Sequence, residues 1–183
     1  MNQNDPANDP LLAELEVLYR KSGLEGAIVA TDHGNSGALP QSLVVRFPML
    51  GRGDRPVDVQ FTFLPDPPGA PADAPRLLQT FVELSTTVPG ERMSELTWLV
   101  TRLNTKLPLG AFGVFDDRGV LYYKQNCLVE RRVATEATVR LIDQQTGLVA
   151  LVLSQFRDLI LDVMAGKVSA ADGLRAHPLG AYR

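Results

Sequence analysis

The stretch Asn104 to Leu128, NTKLPLGAFGVFDDRGVLYYKQNCL, limits the possible folds more than any other part of the chain. Pro108 and Gly110 stop a helix, because proline lacks the N–H that a helix interior uses and glycine accepts backbone angles other residues avoid. Phe112, Val114 and Phe115 then read as a short strand. Asp116-Asp117-Arg118-Gly119 reads as a hairpin turn, with Gly119 placed for the positive φ of a type I turn and following bulge. Val120–Leu128 is the return strand, and its alternation sends Tyr122 and Tyr123 to opposite faces. A helix that runs into a tight hairpin points to an antiparallel sheet.

The remaining pattern agrees. Asp9 offers an N-cap and Pro10 a first-turn residue. Leu11, Leu15 and Leu18, with Leu12 and Tyr19 beside them, give a helical face that ends at Gly23. Ala27–Ala30 and Leu43–Phe47 read as strands. Val57–Phe63 alternates cleanly, with Val57, Val59, Phe61 and Phe63 on one face and Asp58, Gln60 and Thr62 on the other, as in a half-buried antiparallel strand. Pro65 to Pro75 holds five prolines and is neither helix nor central strand, so it reads as an exposed, partly extended surface loop. Leu77–Leu84 returns as a strand.

Glu91 to Lys106 predicts a second helix, with Met93, Leu96, Val100, Leu103 and Leu107 on its buried stripe and Trp98 off its centre. Thr135 opens a last helix to about Ala165, with a possible interruption at Gln145–Gly147. Val149, Val152, Phe156, Leu159 and Val163 form its stripe, and Leu148, Leu151 and Leu161 fall outside it. The helix is apolar over more of its circumference than one flat sheet needs, so either the sheet wraps around it or a second subunit covers it. Ser169–Arg175 adds a short helical segment. The expected fold is α+β, an antiparallel sheet packed against helices in the order α-β-β-β(-β)-α-β-β-α. Residues 1–9 and 177–183 are read as tails and 10–176 as one domain.

Composition removes several function classes. At 183 residues, 45% hydrophobic and 21% charged, the chain has enough apolar surface for a core. A net charge of −3, with basic residues scattered in groups no larger than Glu130-Arg131-Arg132 and Arg46/Arg52/Arg55, gives no basic stripe for nucleic acid. The polar opening MNQNDPANDP lacks a signal-type apolar run, and Leu148–Leu153 is followed by charge, so a cytoplasmic protein without a membrane span is expected.

Catalytic patterns are also missing. The single cysteine, Cys127, reads as a small buried hydrophobe. His33 and His177 have no metal-ligand spacing, and Asp32-His33 lies in a glycine-rich loop with no nucleophile to serve. Gly51-Arg52-Gly53 precedes an alternating strand and reads as a turn. Asp116/Asp117 and Asp66/Asp73 sit in turns, where aspartate bonds nearby backbone N–H groups. No cofactor is expected.

Asn104, Leu107-Pro108, Gly110, Phe112, the Asp116–Gly119 turn and the aromatic return strand together resemble the YbjN-type family, which is similar in fold to the bacterial class I chaperones of type III secretion systems. The resemblance covers roughly Glu91 to Gly166 by motif and the N-terminal half by element order. It implies a small, acidic, cytosolic α+β homodimer that binds protein or peptide clients and carries no catalytic residues. The pI of about 5.4 and the length agree. The first reading is therefore a non-catalytic protein-binding module, with Trp98, Tyr122, Leu151 and Leu161 as candidate protein-binding or dimer surface. The alternative is a regulatory or sensory domain holding a small ligand between sheet and helices.

Overall fold

The computed structural model describes residues 9–30, 41–52, 55–115, 117–132 and 135–178. The element order is α1 (Pro10–Lys21), β1 (Glu25–Ala30), β2 (Gln41–Phe47), β3 (Val57–Phe63), β4 (Arg76–Ser85), α2 (Met93–Asn104), β5 (Ala111–Phe115), β6 (Val120–Val129), α3 (Thr135–Met164) and α4 (Ala170–Ala176). The strands form one six-stranded sheet in the order β1-β2-β3-β4-β6-β5. The fold is α+β with an antiparallel sheet, as the periodicity predicts. One local expectation changes. The last helix runs unbroken through Gln145–Gly147. The Pro65–Pro75 segment is an exposed loop, and within it Ala70 N–H donates to Pro67 O and Ala74 N–H to Pro71 O, closing two successive turns.

Contacts gather into two compact units, Met1–Phe47 with Asp58–Phe81 and Asn126–Thr146, and Pro48–Val57 with Val82–Gln125 and Gly147–Arg183. In the first unit, the Asp9 carboxylate accepts from the N–H groups of Leu11 and Leu12 and caps α1. Leu11, Leu12, Leu15 and Tyr19 of α1 are buried, as are Leu43, Val45, Phe61 and Leu78 of the strands. The Tyr19 ring stacks on Phe61 with centroids 5.8 Å apart. Its hydroxyl donates to Thr146 Oγ1 at 2.9 Å, so a buried polar tip finds a partner. On the opposite sheet face, Arg46 makes a two-pronged ion pair with Asp58 at 2.8 and 2.9 Å. Arg131 donates to Ala74 O and pairs with Asp66, and Arg132 pairs with Asp73. The two arginines of the small basic group therefore pin the proline-rich turns.

In the second unit, the buried side of α2 is Leu96, Leu99, Val100 and Leu103, and that of α3 is Val149, Val152, Leu153, Phe156, Leu159, Ile160 and Val163. The Asn104 carboxamide joins helix to strand. Its Nδ2 donates to Phe112 O at 2.9 Å and its Oδ1 accepts from Phe112 N–H at 2.8 Å. Phe112 lies on β5, an edge strand, opposite Tyr123. Asn104 thus gives the strand edge the same donor–acceptor pair a neighbouring strand would.

Tyr123 is fully buried, and its hydroxyl donates to Leu109 O at 2.9 Å. Gly110 has φ +67°, and a Cβ there would collide with the Tyr123 hydroxyl, so both geometry and space demand glycine. Gly119 takes the expected positive φ, +62°. Burial pushes the Tyr123 hydroxyl up to about 12 from an ordinary value of 10.0.

Asn104→Ala should lower unfolding stability by about 2 kcal/mol in urea titration, because two partly buried groups of Phe112 lose their partners. Asn104→Asp should do no better, since it turns a carboxylate oxygen toward the Phe112 carbonyl. Tyr123 is neutral in the fold up to a higher pH than in the unfolded chain. Its stabilising contribution is complete below the unfolded value of 10.0 and is lost as pH rises toward about 12. The stability difference between wild type and Tyr123→Phe, followed by urea midpoint, should therefore be constant below that window and shrink across it.

Candidate functional site

The C-terminal half of α3 presents a second face, away from its buried stripe. Leu148, Leu151, Gln155, Asp158 and Asp162 follow one another at steps of three or four residues and so share a side of the helix. The face has two characters. Its N-terminal end is apolar: Leu148 and Leu151 are 38% and 51% exposed. Its C-terminal end is acidic, and the loop before β3 lies against it.

Three α3 residues hold that loop. Arg157 is buried, and its Nη1 donates to the carbonyls of Leu50 at 2.8 Å and Arg55 at 3.0 Å. Its Nε has no hydrogen-bond partner among the described residues. Burial draws its pKa below the usual arginine value, yet an arginine this basic stays charged. The Asp158 carboxylate accepts from the Arg52 backbone N–H and, at 3.4 Å, from Arg52 Nε. Asp162 receives Arg52 Nη2 at 3.2 Å and Lys167 Nζ at 3.1 Å. Gly51 has φ +95°, and a Cβ there would stand 2.8 Å from Asp158 Oδ1, so the loop passes close to the helix.

A groove of about 580 Å³ opens beside these groups, lined by Arg52, Gln155, Asp158, Asp162 and His177, with Leu159, Val168 and Pro178 as apolar wall. His177 Nε2 lies 3.0 Å from Gln155 O, and its ring stacks on Phe156 at 5.0 Å. The far side is formed by α4, which Ser169 caps through the Asp172 N–H. The Glu95 carboxylate of α2 also accepts from Ala170 N–H at 2.8 Å, and this bond, together with Arg92, holds Glu95 below the usual carboxylate range.

The four sequence-derived surface residues are dispersed. Trp98 is 43% exposed on α2, with the Arg102 guanidinium 5.5 Å from its ring. Tyr122 is half-buried on β6. It stacks on Phe115 at 4.3 Å and covers Gly113, while Arg118 lies 4.5 Å from the other ring. Leu151 stands on the α3 face just described. Leu161, half-buried, lies ten residues further along, almost a quarter-turn off that face.

Cys127 is half-buried rather than enclosed, and burial raises its thiol pKa. Asp32, His33, Gly53 and Asp116 lie outside the described residues. Asp66 and Asp73 are engaged by Arg131 and Arg132 in the turns. Among the described residues no group of three or more His, Cys, Asp and Glu side chains is placed to hold a metal, and no helix is long and apolar enough to cross a membrane.

Sequence reasoning missed Arg157 and the Arg52–Asp158 pairing. Arg157 follows Leu153 by four residues and so falls on the edge of the buried stripe, a signal present in the spacing. The Arg52 contacts span more than a hundred residues and have no local signal. No family model and no curated protein matches this chain.

Arg157→Met keeps the length of the side chain but leaves the Leu50 and Arg55 carbonyls without their donor. Amide hydrogen exchange at Arg52 should then speed up about tenfold, as expected for the loss of roughly 1.4 kcal/mol of local hydrogen bonding. An unchanged rate would show that Arg157 does not hold the loop.

Proposed function

We propose that this chain is a non-catalytic protein-binding module of YbjN-type, secretion-chaperone-like fold, which acts in the cytoplasm and pairs with a second copy through the apolar end of the outer α3 face. The observation that carries this reading is the exposure of Leu148 and Leu151, one helical turn apart and off the buried stripe. Two adjacent leucines in water are costly beside the same leucines covered by a partner, at about 1.5–3 kcal/mol per fully buried side chain. The α+β element order supports the same reading. Trp98 with Arg102, an aromatic–arginine pair of the kind enriched at interfaces, marks a second place for a protein contact.

The groove beside α3 favours a second reading, a regulatory domain for a small ligand, because about 580 Å³ is a usual ligand-site volume. Its lining comes from α3, α4 and loop residues and includes no strand residue, so that ligand would sit beside α3 rather than on the sheet.

Size-exclusion chromatography with light scattering tests the first reading. Wild type should elute with twice the chain mass, and the Leu148→Ser/Leu151→Ser double variant with the mass of one chain at unchanged helicity. The single variant Leu161→Ser should stay dimeric, because Leu161 is off the shared face. A monomeric wild type, or a double variant that remains dimeric, would overturn the proposed pairing.

A further inference from the structure

We infer that α3 meets the α3 of a second copy in a close crossing at Gly147, where backbone approaches backbone. This rests on the pairing proposed above and gives that pairing a geometry.

Gly147 stands in the interior of a 30-residue helix. Glycine weakens a helix there relative to alanine, because it loses the most backbone freedom on folding. Within a chain, glycine at such a place answers a positive φ, a break in the helix or a neighbour that leaves no room for a Cβ. None of these applies. Gly147 is not among the glycines of positive φ, and the helix runs through it unbroken. A Cβ added there would meet nothing within 4 Å. Alanine would fit, so the packing of the chain itself gives no reason for glycine.

The direction in which Gly147 faces supplies one. Phe156 is buried and follows nine residues later, which is two and a half helical turns. Gly147 therefore lies on the crest of α3, directly away from the core, and it is exposed. Leu148 is its neighbour and Leu151 lies one turn on, 38% and 51% exposed. Two such leucines offer far less area than the roughly 800 Å² per partner of a standard interface. A stable pair through this face has to bring the helix surface around them into contact as well. The side chains at the contact set how near two helices come, and glycine allows the nearest approach.

A second copy is the occupant this surface fits. About a twofold axis at Gly147 the same glycine opens the gap on both helices. Leu148 and Leu151 of each copy then lie beside the other helix, and each copy supplies what the other needs.

Sedimentation equilibrium of the full chain measures the dimer dissociation constant. Gly147→Ala should weaken the dimer about tenfold and Gly147→Leu should abolish it, because a side chain at the crossing pushes the helices apart. Ser154→Ala, about two turns along the same side, also improves helix propensity and should leave the constant unchanged. The second measurement is the urea midpoint of Leu148→Ser/Leu151→Ser, a monomer on the reading above. Adding Gly147→Ala to it should raise the midpoint, since alanine is the better helix former where no partner stands over it.

Equal constants for wild type and both Gly147 variants would overturn the crossing and leave the pairing through the leucines standing. A lower urea midpoint on adding Gly147→Ala would reveal a role for the glycine within the chain and would also overturn the crossing. A monomeric wild type would overturn the pairing itself, and the crossing with it.

Discussion

The pairing of the Asn104 carboxamide with both backbone groups of Phe112 is the interaction on which the second unit most depends. An edge strand leaves alternate N–H and C=O groups without a ladder partner. A side-chain amide is the one neutral group with a donor and an acceptor spaced to match a peptide. Placed at the last residue of α2, it fixes the end of the helix against the start of β5 and sets where the Leu107–Gly110 connection turns. Tyr123 then closes that connection by donating to Leu109 O, and Gly110 leaves the room for it. Phe112, held in place, meets Tyr123 at 5.3 Å and Phe156 of α3 at 6.4 Å. One amide thereby links α2, the hairpin and the aromatic core of α3.

How much of this was legible follows from the range of each signal. The alternation of Val57–Phe63 and the stripe of α2 are local, and the strand and helix appear where those periods predict. Asp9 and Gly119 follow from caps and turn angles, which are also local. Asn104 was visible as part of a pattern, but its partner was not, because a carboxamide reads as a helix-end residue until the strand is folded against it. The proline-rich segment was legible as a surface loop but not in its turns, for a similar reason. Its prolines exclude helix and central strand, but the pairing of Asp66 and Asp73 with Arg131 and Arg132, some sixty residues away, has no local signal.

The candidate site was legible only at its apolar end. Leu148, Leu151 and Leu161 stand off the stripe in the sequence, but only the helix geometry separates Leu161 from the other two. The acidic end is invisible in the sequence, since Asp158 and Asp162 resemble any solvated helix charges until the loop carrying Arg52 is laid beside them. Tyr122 was singled out as a large side chain on a sheet face, yet its stack with Phe115 and its cover of Gly113 give it a reason to be there that needs no partner. The α3 face therefore divides into exposed leucines and carboxylates paired with Arg52 and Lys167.

That division makes the apolar end the place to test first. A photoreactive benzoylphenylalanine placed at Leu151 in the purified protein reports directly what lies over that face, and one placed at Leu128, the more exposed leucine at 67%, serves as the control. Irradiation should give an adduct of twice the chain mass from position 151 and none from position 128. No adduct from position 151, or equal yields from the two positions, would contradict pairing through the α3 face.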